Sequence, residues 1–239
     1  MRLFFAMRFD LLSIFPESFE SYFQASILRR AQDAGLILIS THDIRPFAND
    51  KHQKTDDTPY GGGAGMVMKV EPIDRALEAI GAKPGTPGTR IILLSAKGRR
   101  FDQAKARELS KYERLVLLSG RYEGVDERVA EHLIDEELSI GDFVLTGGEL
   151  GSMVVVDAVA RLIPGVLGND ESAIGESFSV GDTVEFPQYT KPEIYRDWSV
   201  PPVLLSGNHA EIEAWRVARS TENTQKRYGQ EQLPPADSR

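Results

Sequence analysis

Short apolar runs alternate with helix-spaced segments through most of the chain. Residues 8–15 and LILIS at 36–40 read as strands. Between them, Ser26 to Ala34 has helical spacing and stops at Gly35, a C-cap residue. Residues 46–65 are polar and glycine-rich, the pattern of a long loop. A helix from near Glu71 ends at Gly81, and KPGTPG at 83–88 is a turn-rich link. RIILLS at 90–95 and RLVLLSG at 114–120 are continuous apolar runs, as in buried strands. A charged helix from Asp102 to Lys111 separates them, and another from Asp126 to His132 follows. Gly147 to Leu162 forms a long apolar helix, and 164–190 is irregular and too long for a plain connector. Ala210 to Tyr228 is an amphipathic helix closed by Gly229, and the tail QEQLPPADSR reads as disordered.

Helices between short apolar strands imply an α/β fold with a parallel sheet and helices on its faces. Ligands in such sheets bind beyond the carboxyl ends of the strands. The turns after 95 and 118 lie at that end. The pattern predicts a larger α/β domain over 1–167, a flexible linker over 168–185 and a small C-terminal helical domain over 186–239.

Composition narrows the chemistry. The 239 residues are 41% hydrophobic and 27% charged, ordinary for a soluble globule. The absence of cysteine excludes disulfides, thiolate nucleophiles and cysteine metal sites, and suits a reducing cytoplasm. The four histidines, at 42, 52, 132 and 209, do not pair at ligand spacing, so no metal site is expected. No run approaches the roughly 20 apolar residues of a membrane span. Met7-Arg8 reads as an alternative start, with residues 1–6 an extension. The net charge of −8 argues against a passive nucleic-acid coat, but not against local basic patches.

The most informative stretch is SGRYEGVDERVAEHLIDEELSIGDFVLTGG, from Ser119 to Gly148. Two glycine-bearing turns, Gly120 to Gly124 and Gly141 to Gly148, each follow an apolar run. Glycines in that place let backbone, rather than side chain, meet a ligand. GGGAG at 61–65 contains G-x-G-x-G, but Pro59 before it disfavours a strand, so a loop that closes over a flat base fits better than a dinucleotide turn. No G-K-[ST] of a P-loop occurs. Asp157 and Arg161 are four apart on the apolar helix and share a face, either as a structural ion pair or as an aspartate holding a guanidinium towards a ligand oxygen. Residues 97–114 hold seven Lys or Arg against three acids, and Trp215, Arg216, Arg219, Lys226 and Arg227 interleave on the last helix. Both clusters are solvated faces or phosphate contacts. Glu176 lies in the irregular segment and by itself reads as a solvated carboxylate.

DDTPYGGGAGMVMKVEPI, LLSAKG, LLSGRYEGVDER, ELSIGDFVLTGGEL, DAVARLIPGVLG and PQYTKP occur in this order. Together they resemble the bacterial tRNA (guanine-N(1))-methyltransferase family (TrmD type) of the SPOUT superfamily, from about Met7 to Tyr228. The resemblance implies a deep trefoil knot at about 90–163, a homodimer with active sites at the subunit interface, and a C-terminal domain that binds tRNA. It implies S-adenosylmethionine as methyl donor, with a magnesium ion as a further candidate, and methylation at position 37 beside the anticodon.

By matching position, the donor would be held first by Leu93, Leu94, Ser95, Ala96 and Lys97. Gly120, Tyr122, Glu123 and Gly124 form a second wall. Ser139, Ile140, Gly141, Asp142, Phe143, Val144, Leu145, Gly147 and Gly148 form the third. Asp57, Tyr60, Gly61, Gly62, Gly63 and Asp157 would face the substrate. Glu176 would be the catalytic base and Arg161 the arginine that stabilises the guanine 6-oxygen.

The chain departs from the family pattern in places. Glu176 stands where many members carry aspartate, so the carboxylate reaches one methylene further. Gln188 replaces a frequent histidine, Phe143 a tyrosine, Thr58 an arginine, and Ala96-Lys97 a proline–glutamine pair. A SPOUT enzyme with another RNA target and a non-catalytic nucleotide-binding module are the alternatives. A base in the loop favours an enzyme over a pure binder.

Overall fold

The computed structural model describes residues 7–168, 176–179 and 181–229. The readings of residues 1–6 as an extension and of 230–239 as a disordered tail therefore lie outside the described residues, as does much of the expected linker. The chain divides into two compact units, 1–168 and 169–239.

In the first unit the chain runs β1 (Met7–Ser13), α1 (Glu20–Phe23), α2 (Ser26–Asp33), β2 (Ile37–Asp43), β3 (Asp56–Asp57) and β4 (Val67–Met68). It continues α3 (Val70–Ala79), β5 (Thr89–Arg100), α4 (Gln103–Leu109), β6 (Arg114–Ser119), α5 (Glu127–His132), β7 (Glu136–Ser139) and α6 (Glu149–Ala160). Five strands form one parallel sheet in the order β2-β1-β6-β5-β7. β3 and β4 make a separate antiparallel pair.

The continuous apolar runs are explained by burial on both faces. Along β5, Ile92 and Leu94 enter one core with Phe9, Leu115 and Leu117, covered by α2, α4 and α6. Ile91 and Leu93 enter the other with Leu12, Val116 and Leu118, covered by α3 and α5. Each such side chain contributes roughly 1.5–3 kcal/mol when fully buried. Asp102 and Asp126 cap α4 and α5, accepting from Lys105 N–H at 2.7 Å and Arg128 N–H at 3.0 Å.

In the five-stranded sheet, two elements differ from the sequence expectation. β5 runs on to Arg100, with a register shift between Leu94 and Arg99 that bulges residues 95–98. Gly98 permits this, since a Cβ there would lie 2.5 Å from the Leu138 nitrogen. β7 was hidden by its glutamates. Glu136 accepts from Arg90 Nε at 2.7 Å and meets Lys105 Nζ at 2.6 Å, so its charge is neutralised at the sheet edge. Lys105 is therefore buried in ion pairs rather than offered to phosphate, and Arg114 is likewise bonded to Asp10.

The second unit contains β8 (Ile194–Tyr195), β9 (Trp198–Ser199), α7 (Pro202–Leu205) and α8 (His209–Gly229). The described part of the expected linker is tied to α8. Val184 N–H donates to Thr224 Oγ1 at 2.9 Å, and Ser220 Oγ donates to Val184 O at 2.7 Å. Arg216 stacks over Phe186 at 4.9 Å and Arg227 over Phe178 at 5.0 Å.

Asp10 on β1 is the most enclosed ion centre of the sheet. It receives Arg114 Nε at 2.7 Å and Arg8 Nη2 at 2.8 Å, and lies 2.6 Å from His42 Nε2. Burial alone would raise its pKa, but the bonds from His42, Arg8 and Arg114 outweigh this and bring it from 3.8 down to about 2. A carboxylate depressed in the folded state stabilises above its unfolded pKa and loses that contribution as pH falls through the folded value. Asp10 therefore contributes about 2 kcal/mol above pH ~4, lost between pH ~4 and ~2. Denaturant unfolding of Asp10→Asn across that window should show an acid-induced loss of stability smaller by that amount. An unchanged pH slope would refute it.

Candidate active site

The carboxyl ends of β5, β6 and β7 and the start of α6 enclose a cleft of about 280 Å³. Leu93, Leu94, Ser95, Ala96 and Lys97 line it from the end of β5. Gly120, Tyr122, Glu123 and Gly124 line it from the turn after β6. Ser139, Ile140, Gly141, Phe143, Val144, Leu145, Gly147 and Gly148 complete it. Of the expected donor-pocket residues, Asp142 alone is off the lining. Phe143 N–H bonds to Gly141 O at 3.0 Å, which places Asp142 at the exposed outer corner of a tight turn. Arg121, Val125, Glu127, Glu137 and Thr146 also line the cleft and were not foreseen. Glu137 was missed because β7 was missed. Arg121 and Thr146 lie inside the two glycine turns, so proximity in sequence was an available signal.

The two glycine turns touch through backbone. Gly148 N–H donates to Gly120 O at 2.9 Å. A Cβ on Gly148 would lie 2.8 Å from Ser119 Cα and 3.1 Å from Gly120 N. One on Gly147 would run into the side chains of Arg121 and Glu149. Arg121 Nε donates to Glu149 Oε1 at 3.0 Å, and the same buried glutamate accepts from Ser13 Oγ at 2.6 Å. The guanidinium also lies 4.7 Å over the Phe15 ring. Tyr122 at φ 61° and Gly124 at φ 128° give the first turn its shape.

The glycine-rich loop springs from the rim of the same cleft. Met68 N–H bonds to Gly124 O at 2.9 Å, and Glu123 N–H to Met66 O at 3.0 Å. A Cβ at Gly65 would meet the Glu123 side chain. Beyond this stem, Asp57, Tyr60 and Gly61 to Gly63 are exposed, with φ of 88°, 79° and 128° at the three glycines.

A second cavity lies on α6. Tyr22, Leu150, Met153, Val154, Asp157, Ala158 and Arg161 line it, together with Ile140, Phe143 and Leu145, which also line the first cleft. Asp157 Oδ2 accepts from the Tyr22 hydroxyl at 2.6 Å, a partner that sequence reasoning did not single out. Phe143, Val144, Leu150 and Val154 are all exposed, a sizeable apolar surface around this cavity. Glu176 belongs to the second unit, so it and Arg161 sit on different units. Among the described residues, no group of three or more His, Cys, Asp or Glu is placed to hold a metal, and no helix is long and apolar enough to cross a membrane.

Residues 7–231 match the family model described as tRNA (Guanine-1)-methyltransferase TrmD. A protein of Dehalococcoides mccartyi, named tRNA (guanine-N(1)-)-methyltransferase, is 55% identical over 221 residues, covering 92% of this chain and 88% of that protein. One of the same name from Geotalea uraniireducens is 56% identical over 218 residues, covering 91% and 87%. Another from Geobacter sulfurreducens is 54% identical over 220 residues, covering 92% and 89%.

The backbone contact at Gly148 predicts a stability effect. Gly148→Ala should cost about 1–3 kcal/mol in denaturant unfolding, because backbone at 119–120 must move to admit the methyl group. Gly168→Ala, where a Cβ meets nothing within 4 Å, is the control. Equal stability of the two variants would refute the close approach.

Proposed function

The chain belongs to the tRNA (guanine-1)-methyltransferase family, and on that premise we propose that it methylates guanine N(1) in tRNA with S-adenosylmethionine as donor. The observation that carries this reading is the wall of Ile140, Phe143 and Leu145, which two adjacent cavities share. A donor in one and a base in the other would meet there.

The residues present suit the donor. Leu94, Ile140 and Leu145 offer flat apolar surface to an adenine ring, and the glycine turns offer backbone N–H and C=O to its edge. When bound, the donor supplies an electrophilic methyl group on a sulfonium. Glu123 is the carboxylate that would face that cation, the tRNA or a magnesium ion. Asp57, Tyr60 and the loop at Gly61 to Gly63 would close over the substrate.

Guanine N(1) is a poor nucleophile while it carries its proton. Glu176 takes that proton and Arg161 stabilises the charge that grows on the 6-oxygen, which would ready N(1) for the methyl group that a bound donor would supply. The family likeness points to a homodimer with active sites at the subunit interface, and the exposed apolar surface around Leu150 and Val154 supports it. The strand order with β6 between β1 and β5 is compatible with the family's trefoil knot. The aromatic and basic side chains of α8 suit tRNA backbone, and family likeness directs the reaction to position 37 in the cytoplasm.

Two outcomes follow. Glu176→Gln should bind the donor normally in calorimetry yet methylate tRNA at least about 100-fold more slowly in single turnover; near-normal turnover would remove Glu176 from the role of base. Gly141 has φ 154° and a Cβ there would strike the Phe143 ring, so a side chain at 141 should ruin the donor cleft. Mixing Gly141→Val chains with Arg161→Ala chains should restore part of the activity if each site draws on two subunits. No rescue from proven heterodimers would place each site within one chain.

A further inference from the structure

Tyr22 stands at the edge of the α6 cavity, outside every glycine turn. Its ring is backed by an edge contact with Phe23, centroids 5.8 Å apart. Its hydroxyl donates to Asp157 Oδ2 at 2.6 Å. That hydrogen bond, then burial, raises the hydroxyl's pKa, so it remains a donor at neutral pH. The bond orients the carboxylate, and an oriented carboxylate has a second oxygen with which to accept from a ligand.

Asp157 and Arg161 are one helical turn apart. The cavity they share is otherwise apolar, with Phe143, Leu145 and Met153 in its walls. It therefore pairs apolar walls with an acceptor, Asp157, and a donor fork, Arg161. Guanine presents the complement on one edge. Its 6-oxygen accepts and its 2-amino group donates, on either side of N(1). Adenine has neither the 6-oxygen nor the 2-amino group, and hypoxanthine lacks only the 2-amino group.

Resting on the methyltransferase reading above, we infer that Tyr22 is a positioning residue that sets Asp157 to accept from the guanine 2-amino group, which makes the site selective for guanine over hypoxanthine. Asp157 thereby takes one flank of the reacting nitrogen and Arg161 the other, leaving N(1) to Glu176. A carboxylate free to rotate would give the same charge but a weaker preference, because it pays the orienting cost on binding.

The test uses the full-length chain and two tRNA transcripts that differ only in carrying guanosine or inosine at the target position. Wild type should methylate the guanosine substrate with a kcat/KM about 10–100-fold higher, the scale of one well-placed polar contact to a base. Tyr22→Phe keeps the ring and removes only the hydroxyl. It should lower kcat/KM for guanosine about 5-fold, the scale of one hydrogen bond, while leaving inosine and donor affinity unchanged. Asp157→Ala should bring the ratio close to one. A wild-type ratio near one overturns the inference, as does an unchanged ratio in Tyr22→Phe or Asp157→Ala. A loss shared equally by both substrates would assign Tyr22 a purely structural role. If wild type methylates neither transcript at N(1), the methyltransferase reading itself fails and this inference falls with it.

Discussion

The site depends on one backbone contact, the hydrogen bond from Gly148 to Gly120. It closes the turn after β6 onto the turn before α6, and no side chain fits between them. Both walls of the cleft are thereby placed relative to each other without a side-chain spacer. Glu149 reinforces the join from behind, since it is buried at the start of α6 and holds both Arg121 and Ser13. A buried carboxylate is costly unless bonded, and here its partners reach from β1 and from the turn after β6. Breaking either partnership would loosen the sheet end and both cavities together.

The sheet separates stability from function. Towards the start of β1 and β6, Arg8, Asp10 and Arg114 are committed to one another, and Lys105 is committed to Glu136 at the sheet edge. These groups have little left to give a ligand. At the carboxyl ends, glycine backbone and half-exposed apolar side chains predominate, so surface is left for ligands. Ile140, Phe143 and Leu145 line both cavities, so a turn beside a bound methyl donor would also border the base that receives the methyl group.

Much of this was legible in the sequence because burial on both faces writes continuous apolar runs, and β1, β5 and β6 carry them. Gly35 and Gly81 marked helix ends for a physical reason, since each takes a positive φ. β7 was not legible, because its glutamates are neutralised by Arg90 and Lys105, partners distant in sequence. The bulge at 95–98 was hidden for a similar reason, since it depends on the partner strand. Most residues singled out by motif matching line the cleft, while Asp142 lies at an exposed corner off that lining. Tyr22 went unnoticed because its bond to Asp157 spans 135 residues of sequence.

The central claim is that the two cavities on either side of Phe143 and Leu145 hold a methyl donor and a guanine. The most direct measurement is to incubate the protein with isotopically labelled S-adenosylmethionine and tRNA, digest the tRNA to nucleosides and identify the labelled one by mass spectrometry. The account predicts label in 1-methylguanosine, from a single position in the tRNA. Label in any other nucleoside, or none while the donor binds normally, would contradict it.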